Sequence, residues 1–174
     1  MILTIYKSIE RVIITIVIGF SEMQQRVKEE SSHFAVRARD KEGDSLFEEF
    51  VLDEGYETKF RSYFYSAQGE LIEYISAYLK NMPTESELIE TDKAGDEDWV
   101  IQLPMPHSFN ESLAKPVGIK IEDFVETYIM YKWLEMKDEN AASKYLATAE
   151  KLKSEINANL NKRYGGIERP NRYW

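Results

Sequence analysis

The stretch IEDFVETYIMYKWLEMKDENAASKYLATAEKLKSEINANLNKRY, residues 121–164, decides the fold. Its apolar residues recur at steps of three and four, which is the period of an amphipathic helix. The polar residues 137–140 interrupt that period, and Asp138 has a side chain that can cap the helix after it. Because so short a turn joins antiparallel neighbours, the stretch predicts a packed helical hairpin. The small residues Ala142 and Ala149 allow the two backbones to approach closely.

The residues that follow this hairpin have a different character. Gly165 and Gly166 release the backbone and Pro170 lacks a donor N–H, so a helix cannot continue. Arginines and aromatic residues, which are favoured at protein interfaces, follow them. We therefore predict an extended, partner-binding arm at residues 165–174, with a frayed terminus as the alternative. The predicted partner-binding residues are Arg163, Tyr164, Ile167, Arg169, Pro170, Arg172, Tyr173 and Trp174.

Helical signals also occupy residues 45–79. Ser45 with Glu48 three residues later has the spacing of a capping box, which predicts the start of a helix. Apolar residues from Phe60 to Leu79 then continue at helical spacing. Pro83 predicts the end of this helix, because a residue before proline avoids helical geometry.

One short segment has the composition of a strand. Residues 99–103 are apolar and extended in type, and Pro104 and Pro106 are expected to end the segment. Such a strand can pair with a hairpin elsewhere in the chain or with another subunit. Residues 108–118, which include Pro116 and Gly118, are interpreted as irregular.

The first part of the chain supports two interpretations. Residues 2–27 carry apolar side chains at helical steps, whereas the β-branched cluster at residues 12–18 fits a strand. The period continues for longer than a typical strand. We therefore predict a first helix over residues 2–27, followed by a polar connection at residues 29–44.

These patterns predict a mainly α fold. It is a helical bundle with a C-terminal antiparallel helical hairpin, one short extended segment and an extended C-terminal arm. Residues 1–164 are expected to form a single domain, interrupted by an acidic, irregular insertion at about 83–119. Residues 165–174 form the arm. The 174-residue chain has no cysteine, so neither disulfides nor thiolate metal ligands contribute.

Charge and length restrict the partners. A net charge of −9 argues against general affinity for nucleic acid, because duplex binding requires neutralisation of phosphates. It is compatible with a passage through which DNA slides without adhering. The apolar run at residues 12–20 is shorter than the about 20 residues that span a bilayer, so no membrane association is predicted.

Sequence patterns for catalytic or metal chemistry are weak. His33 and His107 lie in separate segments and neither begins an H-E-x-x-H motif. The acidic residues 92–98 lack the ligand spacing of a calcium loop, and Ser21 lacks the second glycine of a nucleophile elbow. We predict no metal, no cofactor and no enzymatic activity.

The order of features from residue 99 to residue 174 carries a family resemblance. It comprises the short extended segment, an irregular linker, a helix containing Tyr128 and Trp133, a turn and a second helix that runs into the Gly-Gly, Arg-Pro tail. This architecture is similar to that of the small head–tail connector proteins, also called adaptor or neck-ring proteins, of tailed bacteriophages, particularly crAss-like phages of gut bacteria.

The resemblance implies a structural virion protein. Such adaptors are helical-bundle subunits that assemble, commonly as twelve copies, into a homo-oligomeric ring beneath the portal. The ring extends the DNA channel, lets DNA pass without sequence-specific binding and joins adjacent tail or neck proteins. The arm, residues 165–174, would dock on the portal protein. The expected location is the virion neck, after assembly in the host cytoplasm.

A second class of function follows from residues 140–150, which look like half of a tetratricopeptide unit. No second copy recurs at the period of that repeat. The alternative is therefore a monomeric helical adaptor of tetratricopeptide type that binds peptides in a groove between its helices.

Overall fold

The computed structural model describes residues 1–7, 11–38, 43, 45–79, 95 and 97–163, with the backbone alone described at residue 54. The described elements are, in chain order, β1 (Ile2–Lys7), β2 (Arg11–Ile18), α1 (Phe20–Ala35), α2 (Phe47–Phe50), α3 (Glu57–Leu79), β3 (Trp99–Pro106), α4 (Ala114–Leu134) and α5 (Glu139–Leu160). The protein is mostly helical, with a small antiparallel sheet of three strands. The mainly α class is thus confirmed.

β2 is the central strand of the sheet and pairs in antiparallel register with β1 and β3. Ile14 in β2 lies opposite Ile5 on one side and Leu103 on the other. Every residue from Val12 to Ile18 is buried. Because neighbouring side chains along a strand point to opposite faces, both faces of β2 are covered.

The predicted first helix over residues 2–27 is wrong. β1 and β2 occupy most of that stretch, and α1 begins only at Phe20. A strand covered on both faces reads as a nearly continuous apolar run rather than as an alternation. A continuous apolar run has apolar residues at the helical steps of three and four as well as at the strand step of two, so its period does not distinguish a helix from a strand. The β-branched cluster was therefore the correct signal. Residues 99–103 pair with β2, which itself pairs antiparallel with β1, as the first of the two alternatives for that segment expected.

The boundaries of α1 and α2 also differ from the prediction. The expected connection begins at residue 29, whereas α1 continues to Ala35 and buries Val27, Ser31 and Ala35 at one-turn intervals. α2 begins at Phe47 without a side-chain cap, so the capping box is wrong. Ser45 Oγ accepts a hydrogen bond from Phe47 N at 3.3 Å instead.

Two further boundaries lie on either side of the 3₁₀ turn Glu111–Leu113. β3 continues through Pro104 and Pro106, which an edge strand tolerates because one side of its backbone needs no ladder partner. α4 begins at Ala114, inside the stretch predicted to be irregular. At Gly118 a Cβ atom would lie 2.8 Å from Met1 Sδ, so a glycine at this helical position gives the Met1 side chain room to pack.

α4 and α5 form the pair that the sequence predicts. Asp138 is the N-cap of α5, and its side chain accepts a hydrogen bond from Ala141 N at 3.0 Å. Lys120, early in α4, forms an ion pair with Glu155, late in α5, so the two helices run antiparallel. Ala142 and Ala149 are both buried.

α4 occupies the centre of the fold. It contacts α1, α3, α5, β1 and β2, and its residues Ile121, Phe124, Val125 and Ile129 have no exposed surface. The predicted end of α3 near Pro83, the acidic part of the insertion and the arm at residues 165–174 fall outside the described residues. The packing of α1 and α5 against α4 sets the positions of the charged side chains on these helices.

Candidate functional site

A cleft of about 890 Å³ opens where the second half of α1 and α2 meet the turn between α4 and α5. It shares Phe34 and Tyr145 with a second cavity of about 360 Å³. It shares Glu30 and His33 with a third cavity of about 170 Å³. The three cavities therefore lie next to one another along α1 and are together called the groove. The largest is lined by Glu30, His33, Phe34, Arg37, Ala38, Leu46, Phe50, Lys137, Asp138, Glu139 and Tyr145.

Several polar groups of this groove connect its walls. Tyr145 OH donates a hydrogen bond to Glu30 Oε1 at 2.6 Å and joins α5 to α1. Burial, together with this bond to a carboxylate, raises the pKa of Tyr145, so the phenol remains protonated and keeps donating at neutral pH. The carboxylate of Asp138 is engaged as the cap of α5. These groups hold helices together rather than presenting a free acid and base.

Lys137 lies among aromatic rings at one end of the cleft. Its Nζ is 3.5 Å from the ring centroid of Trp133, and it also donates to the backbone carbonyl of Glu49. Trp133 Nε1 in turn donates to the carbonyl oxygen of Phe50 at 2.7 Å. Burial and the nearby charge of Lys59 lower the pKa of Lys137. The cluster fastens the α4–α5 turn to α2 through cation–π and hydrogen-bond contacts.

An acidic face lies where α1 packs beside α4. It consists of six carboxylate residues around Arg26, which are Glu22, Glu29, Glu30, Glu122, Asp123 and Glu126. Arg26 Nη1 is 3.0 Å from Glu122 Oε2, its Nη2 is 3.0 Å from Asp123 Oδ1, and it also pairs with Glu126. Burial raises the pKa of Glu126, although Arg26 opposes that shift. Carboxylates thus outnumber the cations that face them.

A basic end lies where β2 begins, β3 ends, α4 begins and α5 ends. The sheet pairs Arg11 with Pro106, the backbone N–H of Asn110 donates to the carbonyl of Lys162 at 3.3 Å, and Phe109 forms a β-bridge with Arg163. Glu111 accompanies these cations, with Lys7 Nζ at 2.9 Å from its Oε1. The cations of the basic end are Lys7, Arg11, Lys115, Lys162 and Arg163.

Of the predicted partner-binding residues, the structure describes Arg163. It is exposed at the basic end, and its Nη1 donates to the carbonyl of Leu160 at 2.6 Å. The other predicted residues, Tyr164, Ile167, Arg169, Pro170, Arg172, Tyr173 and Trp174, lie outside the described residues. Their assignment as partner contacts remains a prediction.

The two histidines lie in different elements, His33 in α1 and His107 after β3. Within the described ranges, no three His, Asp or Glu side chains are grouped so that they could hold a metal ion. A search of the same ranges finds no helix that is long and apolar enough to span a membrane. Most of the acidic residues 92–98 fall outside the described part of the chain.

Sequence reasoning missed the acidic face and the basic end. Their residues are scattered along the chain, and only the packing of α1 on α4 and of the sheet on α5 brings them together. A signal existed on α1, where Glu22, Arg26, Glu29 and Glu30 share one helical face by their spacing. The wrong assignment of residues 2–27 and 29–44 concealed it.

Comparisons with known proteins find no relative of this chain. No family model matches it, and neither a curated protein nor a solved structure does.

Proposed function

We propose that this protein is a head–tail connector subunit of a tailed bacteriophage, a helical-bundle protein that assembles into a ring on the portal, extends the DNA channel and joins the tail. The separation of charge on its surface carries the proposal. An acidic face and a basic end on one chain give copies a means of contacting one another in a repeated arrangement. The resemblance from residue 99 to residue 174 supports the same assignment.

The remaining surface properties are compatible with a channel component. A net charge of −9 disfavours adhesion to DNA that passes through the ring. The engaged polar groups of the groove support a structural role over a catalytic one. On this proposal the protein resides in the virion neck after assembly in the host cytoplasm, and the predicted arm at residues 165–174 docks on the portal protein.

The test is assembly with the portal protein that the same genome encodes. The two proteins are mixed and examined by negative-stain microscopy and light scattering, and we expect closed rings seated on the portal. Deletion of residues 165–174 should abolish docking while leaving helix content and melting temperature nearly unchanged. A protein that stays strictly monomeric and has no affinity for the portal would refute the proposal.

The groove along α1 favours a second candidate, a monomeric adaptor that binds peptides between its helices. Its aromatic lining by Phe34 and Tyr145 and its volume suit an extended peptide segment. Under this alternative, the isolated protein stays monomeric. Substitutions at Phe34 then remove peptide binding and leave binding to the portal protein unchanged. The same light-scattering experiment separates the two candidates.

A further inference from the structure

The acidic face and the basic end are complementary in charge. The acidic face carries six carboxylates against Arg26 and the Met1 ammonium, which lies 2.8 Å from Glu22 Oε2. The side chains of Glu22 and Asp123 are 69% and 42% exposed and Glu29 is also exposed, whereas those of Glu122 and Glu126 are 13% and 20% exposed. At the basic end, the Lys7 side chain is 62% exposed and Lys115, Lys162 and Arg163 are also exposed.

The acidic face is concave at one point. The cavity of about 170 Å³ is lined by Glu29, Glu30 and Glu126 together with Arg26 and His33. Such a notch has room for the end of a lysine or arginine side chain, and carboxylates on its walls supply the acceptors that a guanidinium or ammonium requires. Burial of the Glu126 carboxylate makes an additional cation favourable there.

The two surfaces cannot satisfy each other within one molecule. Lys115 and Glu126 both lie on α4, eleven residues apart, so the rise of an α-helix separates them by about 16 Å along its axis. Both residues belong to one continuous helix, which keeps that separation fixed. Among the described residues, the basic end can therefore meet the acidic face only on another molecule.

We propose that the basic end of one copy docks on the acidic face of the next copy, with a cationic side chain in the notch between α1 and α4. Because the two surfaces differ, the contact is heterologous, and its repetition generates a ring where the rotation closes. This inference rests on the proposed ring and identifies the surfaces by which its subunits meet. It leaves residues 165–174 for the portal.

The experiment uses two full-length variants of opposite design. Glu22→Lys/Glu29→Lys removes the net negative charge of the acidic face, and Lys115→Glu/Lys162→Glu removes the net positive charge of the basic end; all four side chains are exposed. Each variant alone then keeps only one of the two charged surfaces. We expect self-association of each, measured by sedimentation at low salt, to weaken by about tenfold or more. Mixing the two variants brings the unchanged basic end of one against the unchanged acidic face of the other, so mixed dimers should form.

The matched control is Glu48→Lys/Glu73→Lys, which changes the charge equally at exposed positions of α2 and α3. It should assemble like the unmodified protein, and circular dichroism should show all variants folded. If the unmodified protein forms rings but the mixture forms no mixed dimers, the inference is overturned while the proposed function survives. If the unmodified protein forms no ring even with the portal, both fail. Equal weakening in the control would also overturn the inference, since net charge alone would then explain the effect.

Discussion

The central strand and the closing helical pair obtain their stability in different ways. β2 buries every side chain from Val12 to Ile18, so neither of its faces is exposed to water. α4 and α5 instead each alternate buried and exposed positions, and a capped turn joins them. An apolar run without alternation therefore indicates that a segment is buried but not whether it is a strand or a helix. A run with a clear polar face indicates both.

The largest effect is expected in β2. Ile14→Ala removes a fully buried side chain and should lower the free energy of unfolding by about 2–5 kcal/mol, because a cavity remains where the methyl groups were. Ile5→Ala is the control, since Ile5 lies directly opposite Ile14 but is 39% exposed. It should cost about 1 kcal/mol or less. Urea denaturation measures both, and equal losses would show that β2 is not the better-buried strand.

The next largest effect concerns the contact between α4 and α5. Ala149 is fully buried, so Ala149→Leu should force the helices apart and cost about 1–3 kcal/mol. Ala147 lies on the exposed face of α5, and Ala147→Leu should change the free energy of unfolding by no more than about 0.5 kcal/mol. Thermal melting of both variants sharpens the comparison. A neutral Ala149→Leu would mean that the helices do not approach closely.

A smaller effect is expected at the turn. Asp138→Ala removes the acceptor for Ala141 N and should cost about 1 kcal/mol. Asp138→Asn retains a capping oxygen and should recover most of that loss. Melting temperatures of the two variants provide the measurement, and an Asn variant as unstable as the Ala variant would assign the effect to charge rather than to the cap.

The smallest effect concerns the pH dependence of Glu126 in α4. Burial raises the pKa of Glu126 above its unfolded value near 4.5, so the folded state holds this proton more tightly. The resulting stability is present below pH 4.5 and is lost as the pH rises through the folded pKa. Glu126→Gln should abolish this component. The melting-temperature difference between the unmodified protein and the variant should therefore fall as the pH rises above 4.5, and a constant difference would contradict the assignment.

The parts of the fold that could be predicted share a local signal. The α4–α5 pair, the cap at Asp138 and the body of α3 each depend on residues within one or two helical turns. β1 and β2 could not be separated from a helix, because burial on both faces removes the alternation that identifies a strand. The start of α4 was missed because Pro116 and Gly118 are breakers in isolation. A proline in the first turn needs no donor there, and Gly118 leaves room for the Met1 side chain, whose Sδ would lie 2.8 Å from a Cβ atom.

The candidate arm and the notch differ in the same way, because the first is encoded by neighbouring residues and the second is set by the fold. The cationic and aromatic composition after Arg163 is a property of the sequence and predicts an arm without help from the fold. The notch between α1 and α4 requires Arg26 to meet Glu122, Asp123 and Glu126, nearly a hundred residues away along the chain. No local sequence pattern specifies such a contact, because a charged helix face considered alone is interpreted as a solvent-exposed face.

The sequence by itself determined the helical character of the chain, its acidic balance and the capped pair of helices, since period, charge and capping are encoded in neighbouring residues. The tertiary structure decided the pairing of β1, β2 and β3, the central place of α4 and the segregation of charge into an acidic face and a basic end. Those features depend on which surfaces exclude water together, and that is a property of the packed whole.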